Sequence, residues 1–254
     1  MKTMRKCPAL LLMAAVALLA LSACITLTPI RATRVVELTP QEADAGGYQV
    51  DMIDTSAVYV REGLRVRVEH LADAEIEAEL PGPDNPYTYR GEVDPALGHV
   101  PVRFTVFQLT VNNPTFDKVL LPPEKVLLVT DRGRIMHPYE LTRAESEGAP
   151  RNFETYWLSR GVQSGNDQKL YLERMGVVRG TVYHRNSYIF KGNSYTGKLV
   201  FDPLPPGTSS ATLKIEDFVL EFGLYDIPER LTNLEFTFSV KDDIIEPQAG
   251  SAAP

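Results

Sequence analysis

The fold class is decided by the stretch LEFTFSV, residues 234–240, in which apolar and polar residues alternate without a break. Leu234, Phe236, Phe238 and Val240 fall on one side of the pattern, and polar residues fall on the other. Alternation with period two is typical of a β-strand that buries one face and exposes the other to water. We therefore predict a strand here, within a β-rich domain.

The alternation recurs toward the N-terminus. Residues 64–69 alternate Leu or Val with Arg or Glu after the turn sequence REG at 61–63, which predicts a hairpin. Residues 75–80, EIEAEL, are interpreted as a strand with a solvated glutamate face. In residues 102–111 the apolar positions change phase, which predicts a bulge or burial on both faces. Further strands are predicted at 126–129, 135–139, 177–183, 188–190, 199–201, 213–215 and 218–225.

A helical insertion interrupts the strands at residues 141–176. Phe153, Tyr156 and Trp157 have the i, i+3, i+4 spacing of one helical face, with Asn152 before them as an N-cap and Gly161 after them as a stop. A second short helix is predicted from 166 or 167 to 176.

The whole pattern predicts an all-β fold with antiparallel strands. About ten short strands separated by turn signals, with little helix, favour a β-sandwich. Strand spacing alone leaves a β-barrel open.

The N-terminus has the pattern of a secretory signal. Lys2, Arg5 and Lys6 form a positive region, and residues 9–20 form an uncharged apolar core of twelve residues. Such a core is too short to cross about 30 Å of hydrocarbon as a helix, but it has the length of a signal core. Residues 1–23 are therefore predicted to be a signal peptide.

The residues that follow, Leu21-Ser22-Ala23-Cys24, resemble the lipobox of bacterial lipoproteins. The resemblance implies that Cys24 receives a diacylglyceryl group and becomes an acylated N-terminus after cleavage, which anchors the protein stably on a membrane. Because Ile25 rather than Asp follows the cysteine, the enteric sorting rule implies the outer membrane. The alternative is an ordinary secretory signal that leaves Cys24 as an unpaired thiol.

The chain after the signal divides into three parts. Residues 24–50 mix Pro, Gly and charged residues and predict a tether, although 33–38 could instead dock as an edge strand. Residues 51–243 are predicted to form the globular domain. Residues 244–254, rich in Pro, Ala, Gly and Ser, predict a disordered tail.

Three short motifs carry a resemblance that covers roughly residues 55–241. These are Phe107-x-Leu109-x-Val111-Asn112-Asn113, the run from Gly192 through Gly197-Lys198-Leu199-Val200-Phe201, and Leu234-x-Phe236-x-Phe238. They resemble the immunoglobulin-like domains of poorly characterised bacterial envelope lipoproteins. The resemblance implies an immunoglobulin-like β-sandwich and transfers no catalytic residue.

Composition narrows the function classes. The net charge is −7, and loss of residues 1–23 removes three positive residues and no acidic ones, which leaves −10. An acidic chain is a poor candidate for binding nucleic acid, because phosphate contacts need a Lys/Arg surface. With Cys7 removed and Cys24 modified, no disulfide is expected within the mature domain.

Residues for catalysis or metal binding are sparse in the sequence. His70, His99, His137 and His184 lack the spacing of a metal-binding pair. Nucleophile elbow, zincin and phosphate-loop motifs are absent. The glutamates of 75–80 could gather around calcium, but the dense Asp/Asn/Gly loop of a dedicated site is missing. We therefore expect a non-enzymatic protein without a metal or cofactor.

The insertion offers the candidate surface for a partner or ligand: Phe153, Tyr156, Trp157 and Tyr171. Aromatic side chains anchor interfaces and stack on sugars. The alternative is that this stripe only packs the helix onto the sheets. We expect a lipid-anchored envelope protein that binds another envelope protein in an accessory or assembly role. A small-ligand or glycan receptor that uses the insertion is the second possibility.

Overall fold

The computed structural model describes residues 31–42, 47–144, 151–161, 165–184 and 187–246. Its strands are β1 (Thr33–Pro40), β2 (Gln49–Asp51), β3 (Ser56–Arg61), β4 (Leu64–Leu71), β5 (Thr105–Asn113), β6 (Lys118–Val119), β7 (Val126–Thr130), β8 (Ile135–Met136), β9 (Ile189–Phe190), β10 (Asn193–Phe201), β11 (Ser210–Phe222) and β12 (Pro228–Ile245). The helices among the described residues are α1 (Asp73–Glu79), α2 (Phe153–Leu158) and α3 (Asn166–Thr181). These elements belong to one compact unit, Ala32–Ile245.

Two five-stranded sheets form the framework of this unit. One has the strand order β1-β12-β11-β7-β8 and the other β10-β5-β4-β3-β2, while β6 and β9 form a small separate sheet. The strand pairs in these sheets are antiparallel. The predicted all-β class with antiparallel pairing is therefore confirmed.

The stretch 234–240 lies in the 18-residue strand β12, between β1 and β11. Leu234, Phe236 and Phe238 are buried, as the alternation predicts, and each pairs with an apolar residue of β11. Full burial of such a side chain contributes about 1.5–3 kcal/mol. This strand therefore supplies a large part of the domain core.

The main hydrophobic core draws side chains from both five-stranded sheets. Phe107 of β5 shows the contact directly, because its ring lies 5.1 Å from the ring of Phe238 in β12 and 6.1 Å from that of Phe201 in β10. Aromatic pairs at such distances add about 0.5–1.5 kcal/mol each to the burial of apolar area.

A second hydrophobic core explains the phase change in residues 102–111. Phe107, Leu109 and Val111 belong to the first core, whereas Phe104 and Val106 belong to the second. The register of β5 against both neighbours runs without a shift. Of the two predicted explanations, burial on both faces is therefore the correct one.

The predicted strand at 75–80 is wrong, because these residues lie in or next to helix α1. The Glu75 carboxylate accepts a hydrogen bond of 2.7 Å from the Ala72 N–H, which stabilises the first turn. Only Ile76 of this helix is buried, and it joins the second core. Over six residues, an alternating pattern with one truly buried position fits a helix as well as a strand.

The predicted helical insertion is present, but its second helix is longer than predicted. Helix α3 continues past Gly176 to Thr181, so the predicted strand 177–183 is wrong over most of its length. Met175 and Val178 anchor the helix in the second core. Thr181 fixes its last turn through a hydrogen bond of 2.6 Å with the Tyr87 hydroxyl.

The N-terminal part of the domain begins before residue 51, because residues 33–38 dock as an edge strand, which is the alternative predicted for the tether. Within the predicted tether, Thr33–Pro40 forms the edge strand β1 and pairs with β12 over its whole length. Gln49–Asp51 forms strand β2. At the other end, β12 continues to Ile245, two residues into the predicted tail. The signal peptide, Cys24 and residues 247–254 lie outside the described residues.

Candidate functional site

Local sequence builds helix α2 of the insertion. The Asn152 side chain accepts a hydrogen bond of 2.7 Å from the Thr155 N–H, which is the N-cap expected from the sequence. Backbone bonds join Glu140 to Arg151 and Phe153, so the helix start is tied to the chain after β8. This attachment fixes which helical face points inward.

The inward face carries most of the predicted aromatic surface. Phe153 is fully buried and Trp157 is 5% exposed, while Tyr156 and Tyr171 are half-buried against the same core. Phe153 and Trp157 therefore serve packing, the alternative interpretation of this stripe. The Tyr156 ring lies 4.8 Å from that of Phe104, which links the helix to the sheet.

Beside α2 lies a cavity of about 370 Å³. Its lining includes Tyr89, Arg103, Tyr139, Tyr156, Arg160 and Asp202. The Arg160 guanidinium carbon lies 3.5 Å from the Tyr156 ring centroid. Burial raises the pKa of Tyr156 to about 12, although the positive charge of Arg103 opposes this rise. Of the predicted surface residues, Tyr156 is the one that lines this cavity.

An exposed apolar surface at the β11–β12 turn was not predicted. Leu224 and Tyr225 are 83% and 94% exposed, and Ile227, Tyr188 and Phe190 are exposed beside them. We call these five residues the apolar end. The predicted strand 218–225 stops at Phe222, so Leu224 and Tyr225 lie in the turn. The sequence signal was present, because Gly223 and Pro228 bracket a short apolar run.

Backbone strain accompanies this exposure. Tyr225 and Asp226 have φ angles of 61° and 60°, in the left-handed region that non-glycine residues enter at a cost of about 1–2 kcal/mol each. The Gly223 N–H donates a hydrogen bond of 2.9 Å to the Ile227 carbonyl and closes the turn. The Asp226 carboxylate accepts a hydrogen bond from the Lys118 ammonium. This turn therefore combines backbone strain with exposed apolar side chains.

Charged residues surround the apolar end. The Lys118 ammonium lies 5.0 Å from the Tyr188 ring and 4.8 Å from the Phe222 ring, so it joins the two by cation–π contact. A depression next to Phe190 is lined by the carboxylates of Asp117, Glu221, Asp226 and Glu229. Lys118 also lines this depression and pairs with Asp226, and Glu221 pairs with Arg230, so the rim is mixed in charge with an excess of carboxylates.

Within the described residues, no group of three or more His, Cys, Asp or Glu side chains is arranged to hold a metal ion. No helix in the described part of the chain is long and apolar enough to cross a membrane. No protein-family model, curated protein or solved structure matches the chain.

Proposed function

We propose that this chain is a lipid-anchored, non-enzymatic protein of the bacterial cell envelope that docks to another envelope protein through the apolar end. The observation that carries the proposal is the exposure of Leu224 and Tyr225 in a strained turn. Apolar patches with aromatic anchors are characteristic of interaction surfaces. The excess of carboxylates at the rim, Asp117 and Glu229 above all, favours a partner with an apolar recess bordered by Lys or Arg, because complementary charge guides association.

The lipid anchor in this proposal rests on the sequence at 21–24. With Cys24 acylated, the nine residues 24–32 would lie between the anchor and β1 and would span at most about 30 Å. Thr33 pairs with Ile245 at one end of β12, and the apolar end adjoins the other end, about 50 Å along the strand. The docking surface would therefore lie far from the end of the domain that is joined to the lipid anchor in the outer membrane.

We also infer that the two sheets form an immunoglobulin-like sandwich. Both sheets contribute to one core, and the motifs at 107–113, 192–201 and 234–238 lie on or next to β5, β10 and β12. Sandwiches of this class present turns at their two ends. The inference from this fold to a docking role is an analogy, and the apolar end supplies the site-specific support.

Site-specific photo-cross-linking in intact cells tests the docking proposal. A photoreactive residue replaces Tyr225 in one variant and Ile135, an exposed apolar residue of β8, in a matched control. We expect one dominant cross-linked envelope protein from position 225, identified by mass spectrometry, and no such product from position 135.

A second variant establishes that the contact depends on apolar side chains. In Leu224→Ser, cross-linking from position 225 should fall at least about five-fold, because burial of a leucine contributes about 1.5–3 kcal/mol. The melting temperature should stay unchanged, since Leu224 is exposed. Equal cross-linking from positions 225 and 135, or no loss in Leu224→Ser, would contradict the proposal.

A further inference from the structure

We propose that the cavity beside α2 is a binding site for a small molecule that carries an oxyanion, a carboxylate or a phosphate, and that Arg103 is its principal contact. This site is separate from the apolar end and does not depend on docking. It also specifies the ligand class for the second possibility of the sequence analysis, a small-ligand receptor that uses the insertion: the ligand carries a carboxylate or a phosphate.

The first observation is the state of Arg103. Arg103 is 7% exposed, and its Nε and Nη1 atoms are buried and have no hydrogen-bond partner among the described residues. A guanidinium stays charged in proteins, so it cannot avoid the cost of burial by losing its proton. Glu92 interacts electrostatically with this guanidinium, but buried N–H groups without an acceptor still cost about 1–3 kcal/mol each. A bound anion would offset that cost.

The second observation is how Arg103 is held. Its guanidinium carbon lies 4.1 Å from the Tyr89 ring centroid and 4.9 Å from that of Trp157. Stacking on aromatic rings engages the faces of a guanidinium and leaves the N–H groups at its edges available. The aromatic contacts therefore fix Arg103 in place without using its donors, which is the preorganisation that anion recognition needs.

The third observation is a local excess of donors around Trp157. The Trp157 Nε1 and the Arg174 Nε are also buried without a partner in the described structure, and the Arg174 guanidinium carbon lies 4.4 Å from the Trp157 ring. Burial lowers the pKa of Arg103, Tyr156 and Tyr89 raise it, and the charge of Arg174 lowers it against the opposing charge of Glu92. The buried N–H donors of Arg103, Trp157 and Arg174 lack acceptors. A ligand that carried further positively charged donors would only add to the charge repulsion.

The charges that line the cavity favour the same ligand. Three arginines, Arg103, Arg151 and Arg160, line it with one carboxylate, Asp202. Asp202 is already engaged, because it pairs with Arg151 at 3.1 Å and accepts a hydrogen bond of 2.7 Å from the Tyr139 hydroxyl. A positively charged cavity in a chain of net charge −7 selects for anions.

The volume of about 370 Å³ exceeds what a bare inorganic ion fills and lies in the range of small-molecule pockets. The polar side chains of Asn152, Thr155 and Ser159 also line the cavity. They suit a ligand with hydroxyl groups next to its anionic group. Glucuronate and glucose 6-phosphate are therefore suitable probes for the carboxylate and phosphate arms, with glucose as the uncharged control.

Fluorescence titration of the full-length lipidated protein in non-ionic detergent tests the site. Trp157 is the single tryptophan and contacts Arg103, so its emission reports on the cavity directly. At constant ionic strength we expect saturable binding of at least one of the two anionic probes, with a Kd below about 1 mM, and none of glucose. The probe that binds identifies the anionic group.

Variants establish which residues bind the probe. Arg103→Gln should weaken binding at least about ten-fold, since a charged hydrogen bond contributes about 1.5–3 kcal/mol. Arg65→Gln removes the same charge from an exposed position of β4 and should leave the Kd unchanged. If Arg103→Gln fails to fold, Arg160→Gln, at an exposed cavity residue, takes its place and should weaken binding at least about three-fold.

A measurement on the wild-type protein needs no variant. The guanidinium Nη–H resonances of Arg103 should shift on addition of the probe that binds, because this guanidinium lines the cavity. Absence of saturable binding by both anionic probes would overturn the proposal. So would equal binding by wild type and the cavity variant, or guanidinium Nη–H resonances of Arg103 that stay unmoved at saturation.

Discussion

At the residue scale, the carboxyl group of Asp73 lowers the stability of the folded protein when it is ionised. It lines a second cavity of about 320 Å³ together with His70 and Glu77. Burial raises the pKa of Asp73 to about 7, and the charge of Glu77 adds to the rise. The folded protein therefore binds this proton more tightly than the unfolded chain does, so the free energy of unfolding falls as pH rises from about 4 to about 7.

Replacing this carboxyl group should stabilise the protein. In Asp73→Asn we expect the free energy of unfolding at pH 8 to rise by about 1–3 kcal/mol, with no gain at pH 4, where the wild-type carboxyl is neutral in the fold. Urea denaturation at both pH values measures this, and Glu216→Gln, at an exposed carboxylate of β11, is the control. Equal stability of wild type and Asp73→Asn at pH 8 would refute the expectation.

His70 contributes to the pH dependence of stability in the opposite direction to Asp73. Burial lowers its pKa to about 4, so the folded protein binds fewer protons at this group than the unfolded chain between pH 4 and about 6.5. Its contribution to the free energy of unfolding therefore rises with pH over that range and opposes the contribution of Asp73. In Asp73→Asn the contribution of Asp73 no longer opposes that of His70, so stability should change from pH 4 to 6.5 with a more positive slope than in wild type.

Single residues differ in how far sequence predicts their roles. The Asn152 cap was predictable because an N-cap depends on a residue and its neighbours three positions away. The role of Arg103 was not, because it requires the rings of Tyr89 and Trp157, both distant from it in sequence, to contact its guanidinium. Trp157 was predicted to lie on an aromatic helical face, but only the packing of α2 decides that this face is buried.

At the element scale, Gly197 lets the end of the insertion approach strand β10. A Cβ atom at this position would lie 2.6 Å from the Tyr183 Cα, and the Tyr183 N–H donates a hydrogen bond of 2.9 Å to the Lys198 carbonyl. The two nearest atoms, the Tyr183 Cα at 2.6 Å and the Tyr183 N at 2.8 Å, belong to the backbone, so no side-chain rotation can relieve the clash. The chain after α3 and β10 are therefore packed as closely as glycine permits.

Substitution at this contact should be strongly destabilising. We expect Gly197→Ala to lower the free energy of unfolding by about 2–4 kcal/mol, since the backbone must shift. Gly180→Ala in helix α3 is the matched control: its Cβ meets no atom of the described structure within 4 Å, and alanine should add about 0.5–1 kcal/mol. Thermal denaturation of both variants gives the comparison, and a neutral Gly197→Ala would contradict the close approach.

Elements were predictable where one periodicity dominated. The stretch 234–240 alternates over seven residues and has no competing pattern, so it was correctly assigned as a strand. Residues 75–80 were not, because one buried isoleucine satisfies both periods. Residues 177–181 carry β-branched residues, yet they continue α3, since tertiary packing of Val178 outweighs the intrinsic preference.

At the scale of the whole molecule, the alternating strands were sufficient for the antiparallel all-β class, but the limits of the domain depend on long-range pairing. Strand β1 contributes Val36 and Leu38 to the main core. Its Arg34 guanidinium forms two hydrogen bonds, of 2.8 and 2.9 Å, with the Asp242 carboxylate of β12. These contacts join residues about 200 positions apart, so the local sequence could suggest an edge strand at 33–38 but not its pairing with β12.

Two truncations locate the true start of the domain. A chain that begins at Ala32 retains β1 and should melt as the full-length protein does. A chain that begins at Gln41 loses Val36 and Leu38 from the core, and each buried aliphatic side chain contributes about 1.5–3 kcal/mol, so the free energy of unfolding should fall by at least about 3 kcal/mol. Loss of β1 also leaves the edge of β12 unpaired, which favours aggregation. Equal urea midpoints for the two truncations would show that residues 32–40 act as a tether, and the anchored chain would then have a reach of about 17 residues instead of nine.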